Sequence, residues 1–348
     1  MYPIRLLFDE SALADVIAGF SLFPLFLIII FCIIILSKGA DWMIDGAVAM
    51  AAKTGVSQIA IGATIISLGT TTPEAFVSVF AAWTGNPGLA LGNGVGSIVA
   101  DTGLIFGLTC LIAKTPANRF ILNRTGWVQV GAATLLVIIA LFSFVMIPEH
   151  PVLHRWVGFL FLALLFFYII VTMHWARDSR TRTQSIQKID NYVSWPLWKS
   201  WFAVIAGLIF VIAGARVLIP CATELATRLG VPQDVIAATM VALGTSLPEL
   251  ITAISAIRKG HPEITIGNIV GADVLNCLFV IGASAAVRPL DIPSNFYLLH
   301  FPAMILILYS FRFFIFLNKD GSFKRWQGGW LLGIYLFYVI IQYTLKTA

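Results

Sequence analysis

The sequence predicts an all-α integral membrane protein with ten transmembrane helices in two inverted-topology five-helix repeats, with broken helices at a shared polar site. Composition is the first observation behind this prediction. Hydrophobic residues make up 59% of the 348 residues and charged residues only 11%, far from the composition of soluble domains, which are about half apolar and a quarter charged. The second observation is the recurrence of long apolar stretches, and the third is a repeat that relates the two halves of the chain.

The apolar stretches predict the number of spans, because a helix needs about 20 apolar residues to cross the hydrocarbon core. Six stretches have this length or nearly so, at 22–36, 127–147, 156–175, 201–219, 296–316 and 330–343. Two longer tracts, 39–113 and 214–287, are interrupted by Gly, Pro, Thr and carboxylates, and we interpret each as a pair of broken spans. The total is ten. On this division Asp41, Asp45 and Glu224 lie near the starts of helices, where acids complement the helix dipole.

The distribution of basic residues predicts the orientation. A ten-span topology places most of them on one side, at 38, 114–124, 176–200, 258–259 and 312–325. The positive-inside rule then puts both termini outside and the central loop in the cytoplasm, for a multi-pass protein of the inner cell membrane. This placement also accounts for the net charge of +5, so no nucleic-acid partner is expected.

The two halves repeat each other at an offset of 175 residues. IGATIISLGTTTPE (61–74) matches IAATMVALGTSLPE (236–249), and GNPGLALGNGVGS (85–97) matches GHPEITIGNIVGA (260–272). Because each half holds an odd number of predicted spans, the second copy is inverted relative to the first, and such folds bind their substrate near the midplane where the copies meet.

The repeat also sets the domain boundaries. The first half is 1–175, with its repeat at about 39–113, and the second half is 201–348, with its repeat at about 214–288. Residues 176–200 form a polar cytoplasmic linker that is too short for a folded domain.

Each copy contains a GT(T/S)(T/L)PE motif, at 69–74 and 244–249. Proline breaks the helical hydrogen-bond ladder, so Pro73 frees the carbonyl of Gly69, and an unpaired carbonyl in lipid needs a partner from the protein or an ion. Thr70 and Glu74 are four residues apart and share a helix face. Hydroxyl, carboxylate and carbonyl oxygens together are the ligands that hard cations prefer.

The following span adds Ser97 and Asp101, matched in the second copy by Ala272 and Asn276. An ionisable residue at the bilayer centre costs about 2.5–3.5 kcal/mol on insertion scales and is normally retained for a pathway. Two glycine pairs have the small-xxx-small spacing that lets helices approach closely. These pairs are Gly92 with Gly96 and Gly267 with Gly271.

These motifs resemble the α-repeats of the cation/calcium antiporter superfamily, the sodium/calcium exchangers in particular, in a prokaryotic type with a short central loop. The resemblance implies a transporter and not an enzyme, without a cofactor, that exchanges calcium for sodium by alternating access in the lipid bilayer. It predicts no particular protein partner. The positions that the resemblance assigns to ion binding are Ser67, Thr70, Thr71, Glu74, Ser97, Asp101, Ala242, Thr245, Ser246, Glu249 and Asn276. Glu74 and Glu249 would be the central calcium ligands, and Ser67 and Ala242 would bind sodium through their carbonyls.

The chain departs from the family pattern in three places. The first motif reads GTTTPE where GTSLPE is usual. Exchangers of this family tend to carry Asn in the first copy and Asp in the second, whereas this chain has Asp101 and Asn276. Ala272 stands where the family commonly has Ser, which puts one sodium site in doubt. Asp273 is an additional acid, either a ligand or a residue that supports one.

Other functions remain open at this point. Proton coupling is the nearest alternative, because carboxylates in a low dielectric can take up protons instead of sodium, and another divalent cation could replace calcium. An intramembrane aspartyl protease needs one Asp from each of two spans as general acid and base, but it does not predict two Pro-Glu motifs in register. A passive channel would need a continuous pore.

Overall fold

The structure is a computed structural model that describes residues 16–116, 119–183, 195–229, 246–318 and 321–347. The described chain is helical apart from one short antiparallel pair of strands, β1 (Val152–Leu153) and β2 (Leu290–Asp291). In chain order the helices are α1 (Leu22–Thr54), α2 (Gln58–Thr70), α3 (Thr72–Thr84), α4 (Pro87–Ile112), α5 (Arg119–Met146), α6 (Arg155–Thr183), α7 (Leu197–Arg228), α8 (Leu247–Arg258), α9 (Pro262–Val287), α10 (Phe296–Leu317) and α11 (Arg325–Thr347).

The predicted all-helical membrane architecture is confirmed in its main features. Among the described residues, seven helices are long and apolar enough to cross a membrane, or eight if the bent pair α2 and α3 is one span. The count of ten stays a prediction. Residues 230–245, which would hold the first part of the broken span in the second half, lie outside the described residues.

The first predicted boundary is wrong. Helix α1 runs unbroken for 33 residues through Ser37, Lys38 and Gly39, so it joins the stretch 22–36 to the start of the tract 39–113. The cause is close packing on α7: a Cβ on Gly39 would lie 2.7 Å from the carbonyl oxygen of Gly207, and small residues allow such approach. Lys38 is exposed on the surface of this helix.

This longer α1 corrects the reading of the acids near the predicted helix starts. Asp41 and Asp45 lie in the middle of α1 and contact α8. Ser255 donates to Asp41 Oδ1 at 2.6 Å, and Lys259 pairs with Asp45 Oδ1 at 2.6 Å. Glu224 lies in the last turns of α7 and pairs with Arg228 at 2.7 Å. These acids therefore form side-chain contacts and do not cap helix starts.

Helices α4 and α9 form the centre of the molecule. In α9, 94% of the most apolar 18-residue stretch is buried. The buried share of the corresponding stretch is 72% in α4 and only 22% in α1. Their bounds repeat the sequence offset, since 87–112 and 262–287 are 175 residues apart. Each also changes to π-helix at an equivalent place, Ala100–Phe106 in α4 and Asn276–Ile281 in α9. Short π-helical stretches are frequent at functional sites.

Candidate cation-binding site

A new helix begins at each Pro-Glu motif, and at the first motif the chain also bends. Helices α2 and α3 meet at Thr71 with a bend of 42°. Pro73 is the second residue of α3, a position where the missing N–H has no helical partner to lose, and Glu74 follows in the first turn. In the second copy Ser246 precedes α8, and Glu249 lies in its first turn. Each carboxylate is thus carried at the beginning of a helix inside the protein.

The structure brings the acids of both halves together. Glu74 and Glu249 are each 1% exposed and Asp101 is fully buried, so none of them faces lipid. Glu249 lies close enough to Glu74 and to Asp101 for their charges to interact, and Glu74 likewise interacts with Asp101. Three carboxylates from α3, α4 and α8 therefore share one buried space.

Most oxygens in this space lack a hydrogen-bond partner. Both carboxylate oxygens of Glu74 and of Glu249 are buried and unpartnered within the described part of the chain. The same holds for further oxygens at predicted positions, namely Thr71 Oγ1, Ser97 Oγ, Asp101 Oδ1, Ser246 Oγ and Asn276 Oδ1. Buried polar atoms are normally satisfied, and an unpaired buried charge is very unfavourable. Buried carboxylate, hydroxyl and amide oxygens with free lone pairs are the ligands that a hard cation prefers.

Hydroxyl and amide oxygens are needed as well as carboxylates. No three His, Cys, Asp or Glu side chains within the described ranges are grouped so that they could hold a metal ion by themselves. The hydroxyls of Thr70, Thr71 and Ser246 lie within the motif turns, and each of these residues is at most 2% exposed. A cation in this space would be held by oxygens of mixed type, as hard cations are.

Two asparagines position the motifs, and the sequence reasoning assigned neither of them a role. Asn268 on α9 accepts a hydrogen bond at 3.2 Å from Thr70, whose hydroxyl also lies 3.4 Å from the Ser67 carbonyl oxygen. Asn93 on α4 donates to Ser78 Oγ at 2.9 Å and to the Glu74 carbonyl oxygen at 3.3 Å. The available signal was that both belong to the GN(x)VG motif at matched positions.

The remaining predicted positions divide into two groups. Ser67 is fully buried, Ser97 is 4% exposed and Asn276 is 1% exposed, all in the helices that enclose the site. Ala242 and Thr245 lie outside the described residues.

Close contact between α2 and α9 depends on glycine. A Cβ on Gly271 would lie 2.6 Å from the Ala63 carbonyl oxygen and 2.6 Å from Ser67 Oγ, and one on Gly62 would lie 2.5 Å from the Ile264 carbonyl oxygen. Gly267 packs on the backbone of Ile59 in the same interface. The predicted packing role of the second glycine pair is confirmed. The packing role of the first pair, Gly92 with Gly96, stays a prediction.

The chain matches the family of the sodium/calcium exchanger protein over residues 24–174 and 199–344, most of both halves. It belongs to the sodium/calcium exchanger family. Individual relatives cover nearly all of the chain. The sodium/calcium exchanger MaX1 of Methanosarcina acetivorans is 28% identical over 345 residues, which cover 91% of this chain and 98% of MaX1. The inner membrane protein YrbG of Escherichia coli is 28% identical and covers 88% of this chain and 93% of its own.

A solved structure supports the fold of this sodium/calcium exchanger family member. The sodium-calcium exchanger NCX_Mj, soaked with zero Na⁺ and Ca²⁺, superposes with a TM-score of 0.75 at 24% identity, over 92% of this chain and 100% of that one. The two proteins therefore share a helical membrane fold.

Proposed function

We propose that this chain is a secondary active antiporter that exports calcium while sodium enters, by alternating access at the site around Glu74 and Glu249. The observation that carries the proposal is that these two acids, from opposite halves, lie together, buried and without hydrogen-bond partners among the described residues. Because one set of carboxylates would serve both ions in turn, their competition makes the exchange obligatory.

The charge of the site fits these ions. Glu74, Glu249 and Asp101 supply up to three negative charges in one buried space, of which one Ca²⁺ would balance two and three Na⁺ ions would balance all. The ligands would be the eleven positions that the family resemblance implies, with Ala242 and Thr245 contributed by the part of the chain that is not described. Family membership supports calcium and sodium as the transported ions.

The proposed architecture is ten transmembrane helices in two inverted five-helix repeats. The equal offset of α4 and α9 supports the internal repeat, and their π-helical stretches end at matched residues, Phe106 and Ile281. The basic segments support an inner-membrane orientation with both termini outside and the linker in the cytoplasm. Inverted copies would let one half rock against the other around a fixed midplane site.

Proton coupling is retained as a second candidate because of one residue. Ala272 is fully buried on α9 and offers no hydroxyl at a position where the family commonly has Ser. The protease hypothesis has no comparable support. Asp101 bonds to Asn276, and Asp273 bonds to Thr102 and Gln129, so in the described structure no hydrogen bond joins the two acids to each other.

Transport in sealed vesicles tests the proposal. The purified full chain is reconstituted, and uptake of ⁴⁵Ca²⁺ is followed with an outward sodium gradient or, separately, with a pH gradient at equal sodium. We expect the sodium gradient alone to drive uptake. Uptake driven only by the pH gradient would replace sodium by protons as the coupling ion, and no uptake with either gradient would contradict calcium antiport.

A further inference from the structure

A second buried polar cluster lies beside the first site. Asp273 on α9 accepts hydrogen bonds at Oδ2 from the hydroxyl of Thr102 on α4 and from Nε2 of Gln129 on α5, the latter at 2.5 Å. Thr102 is 0%, Gln129 1% and Asp273 2% exposed. Three separate helices thus place their polar side chains at one point inside the protein.

The hydrogen bonds leave one of the two Asp273 carboxyl oxygens unsatisfied. Two donors point at Oδ2, whereas Oδ1 has no hydrogen-bond partner among the described residues, and neither has Gln129 Oε1. An ionised Asp273 would offer one negative charge, and the amide oxygen of Gln129 is a second acceptor beside it. Within the described ranges no cationic side chain pairs with either group.

The internal repeat shows that packing alone does not require these polar residues. At the offset of 175, Asp273 corresponds to Ile98 and Thr102 corresponds to Cys277. Ile98 is 0% and Cys277 1% exposed, so apolar or weakly polar side chains fill the equivalent positions of the other half. A buried acid that only one repeat carries is costly in a membrane and is usually retained for ion binding or transport.

We propose that Asp273 and Gln129 form a second cation site, for a monovalent alkali ion, next to the site of Glu74 and Glu249. A single carboxylate with neutral amide and hydroxyl oxygens matches one positive charge, whereas a divalent ion takes six to eight oxygens and usually several carboxylates. Asp273 interacts electrostatically with Asp101, so an ion bound at Asp273 offsets the repulsion between these two acids. Occupancy of the second site therefore couples to cation binding at the first.

Equilibrium binding tests this inference without reference to transport. Binding of ²²Na⁺ and ⁸⁶Rb⁺ to the purified full chain is counted for the wild type, for Asp273→Asn, and for Asp291→Asn, an exposed acid in β2 that serves as the matched control. We expect Asp273→Asn to bind one monovalent cation fewer per chain and Asp291→Asn to bind as many as the wild type. Equal counts of both ions in Asp273→Asn and the wild type would overturn the second site.

Two further measurements distinguish loss of the second site from loss of the first site and from misfolding of the variant. Asp273→Asn is also made in a Glu74→Gln background, where it should again remove one equivalent, because the two substitutions affect different sites. Crystals of the wild type soaked in Rb⁺ should show an anomalous peak at ligand distance from Asp273 Oδ1. A Rb⁺ peak elsewhere with none at Asp273 would overturn the second site. This result does not depend on whether the variant folds. If the wild type shows no sodium-driven calcium uptake, the proposed antiport is wrong. The number of Na⁺ and Rb⁺ ions bound per chain would still test the second site.

Discussion

Asn276 donates a hydrogen bond from Nδ2 to Oδ2 of Asp101 across 3.2 Å, and this bond joins equivalent positions of the two repeats. The remaining oxygen of each side chain, Oδ1, is buried and has no partner in the described part of the chain. One acid and one amide thus act as a pair that presents two free oxygens. The two residues occupy matched positions of the two repeats. The family pattern has the amide in the first repeat and the acid in the second, so the exchange seen in this chain still places one acid and one amide side by side.

Exchange of the acid and the amide tests whether this pair acts as a unit. Asp101→Asn alone removes a charge from the site and should lower sodium-driven ⁴⁵Ca²⁺ uptake at least tenfold, which corresponds to about 1.4 kcal/mol. The double variant Asp101→Asn with Asn276→Asp restores the charge and should recover uptake to within about threefold of the wild type. A double variant as inactive as the single one would show that the acid must lie in the first repeat, so the two residues do not act as one unit.

Neutralising either central glutamate should abolish calcium binding. Glu74→Gln keeps the shape of the side chain but removes a charge that no donor in the described structure satisfies, so the fold should be retained or stabilised, because a buried unpaired charge is costly. Calcium binding is measured by calorimetry in detergent and stability by thermal melting. Glu263→Gln, a half-buried acid at the start of α9, is the matched control and should bind calcium normally. Normal calcium binding by Glu74→Gln would remove this residue from the site.

Substitution of the contact glycine in α2 should destabilise the protein. In Gly62→Ala the new Cβ would lie 2.5 Å from the Ile264 carbonyl oxygen and 3.0 Å from the Asn268 backbone nitrogen. Neither backbone atom can move aside without displacing α9, and overpacking of this kind costs about 1–3 kcal/mol. We expect a lower melting temperature and weaker calcium binding, since Asn268 also accepts the hydrogen bond of Thr70.

The control for this prediction is the same substitution at an open position. A Cβ on Gly333 of α11 would have no described atom within 4 Å outside its own helix, and alanine is favoured over glycine in a helix by about 1 kcal/mol. Gly333→Ala should therefore melt at the same or a higher temperature. Equal melting temperatures for Gly62→Ala and the wild type would contradict the close contact of α2 and α9.

Restoring the missing hydroxyl on α9 tests the coupling ion. Ala272→Ser adds an oxygen at a fully buried position where the family commonly supplies one for sodium. If sodium drives transport, the sodium concentration for half-maximal ⁴⁵Ca²⁺ uptake should fall about two- to tenfold. An unchanged sodium dependence, together with uptake that follows the pH gradient, would favour proton coupling.

The core of the site could be predicted because the Pro-Glu motif occurs in both halves of the sequence, at 69–74 and 244–249. The offset of 175 matches Glu74 with Glu249, the inverted repeat predicts that the two motifs meet, and the structure brings the two acids together. The first helix boundary was missed because Ser37, Lys38 and Gly39 have the composition of a loop. Only the partner helix α7 reveals that these residues lie inside one long helix, since it packs on Gly39.

Other features could not be read from local patterns. Gln129 is one of several polar residues in the mostly apolar helix α5, and its hydrogen-bond partner Asp273 is 144 residues away in the chain. The pairing of Asp45 with Lys259 likewise joins α1 to the end of α8. Contacts between residues so distant in sequence follow from the tertiary packing, which neither spacing nor composition encodes.

We expect oxygens of both repeats to hold one cation between Glu74 and Glu249. Anomalous diffraction from crystals of the wild type soaked in Sr²⁺, a heavy substitute for calcium, tests it most directly. We predict one strong peak at ligand distance from carboxylate oxygens of both residues, about 2.3–2.6 Å for calcium and slightly more for strontium. A bound Sr²⁺ that contacts neither glutamate, or acids of only one repeat, would contradict it.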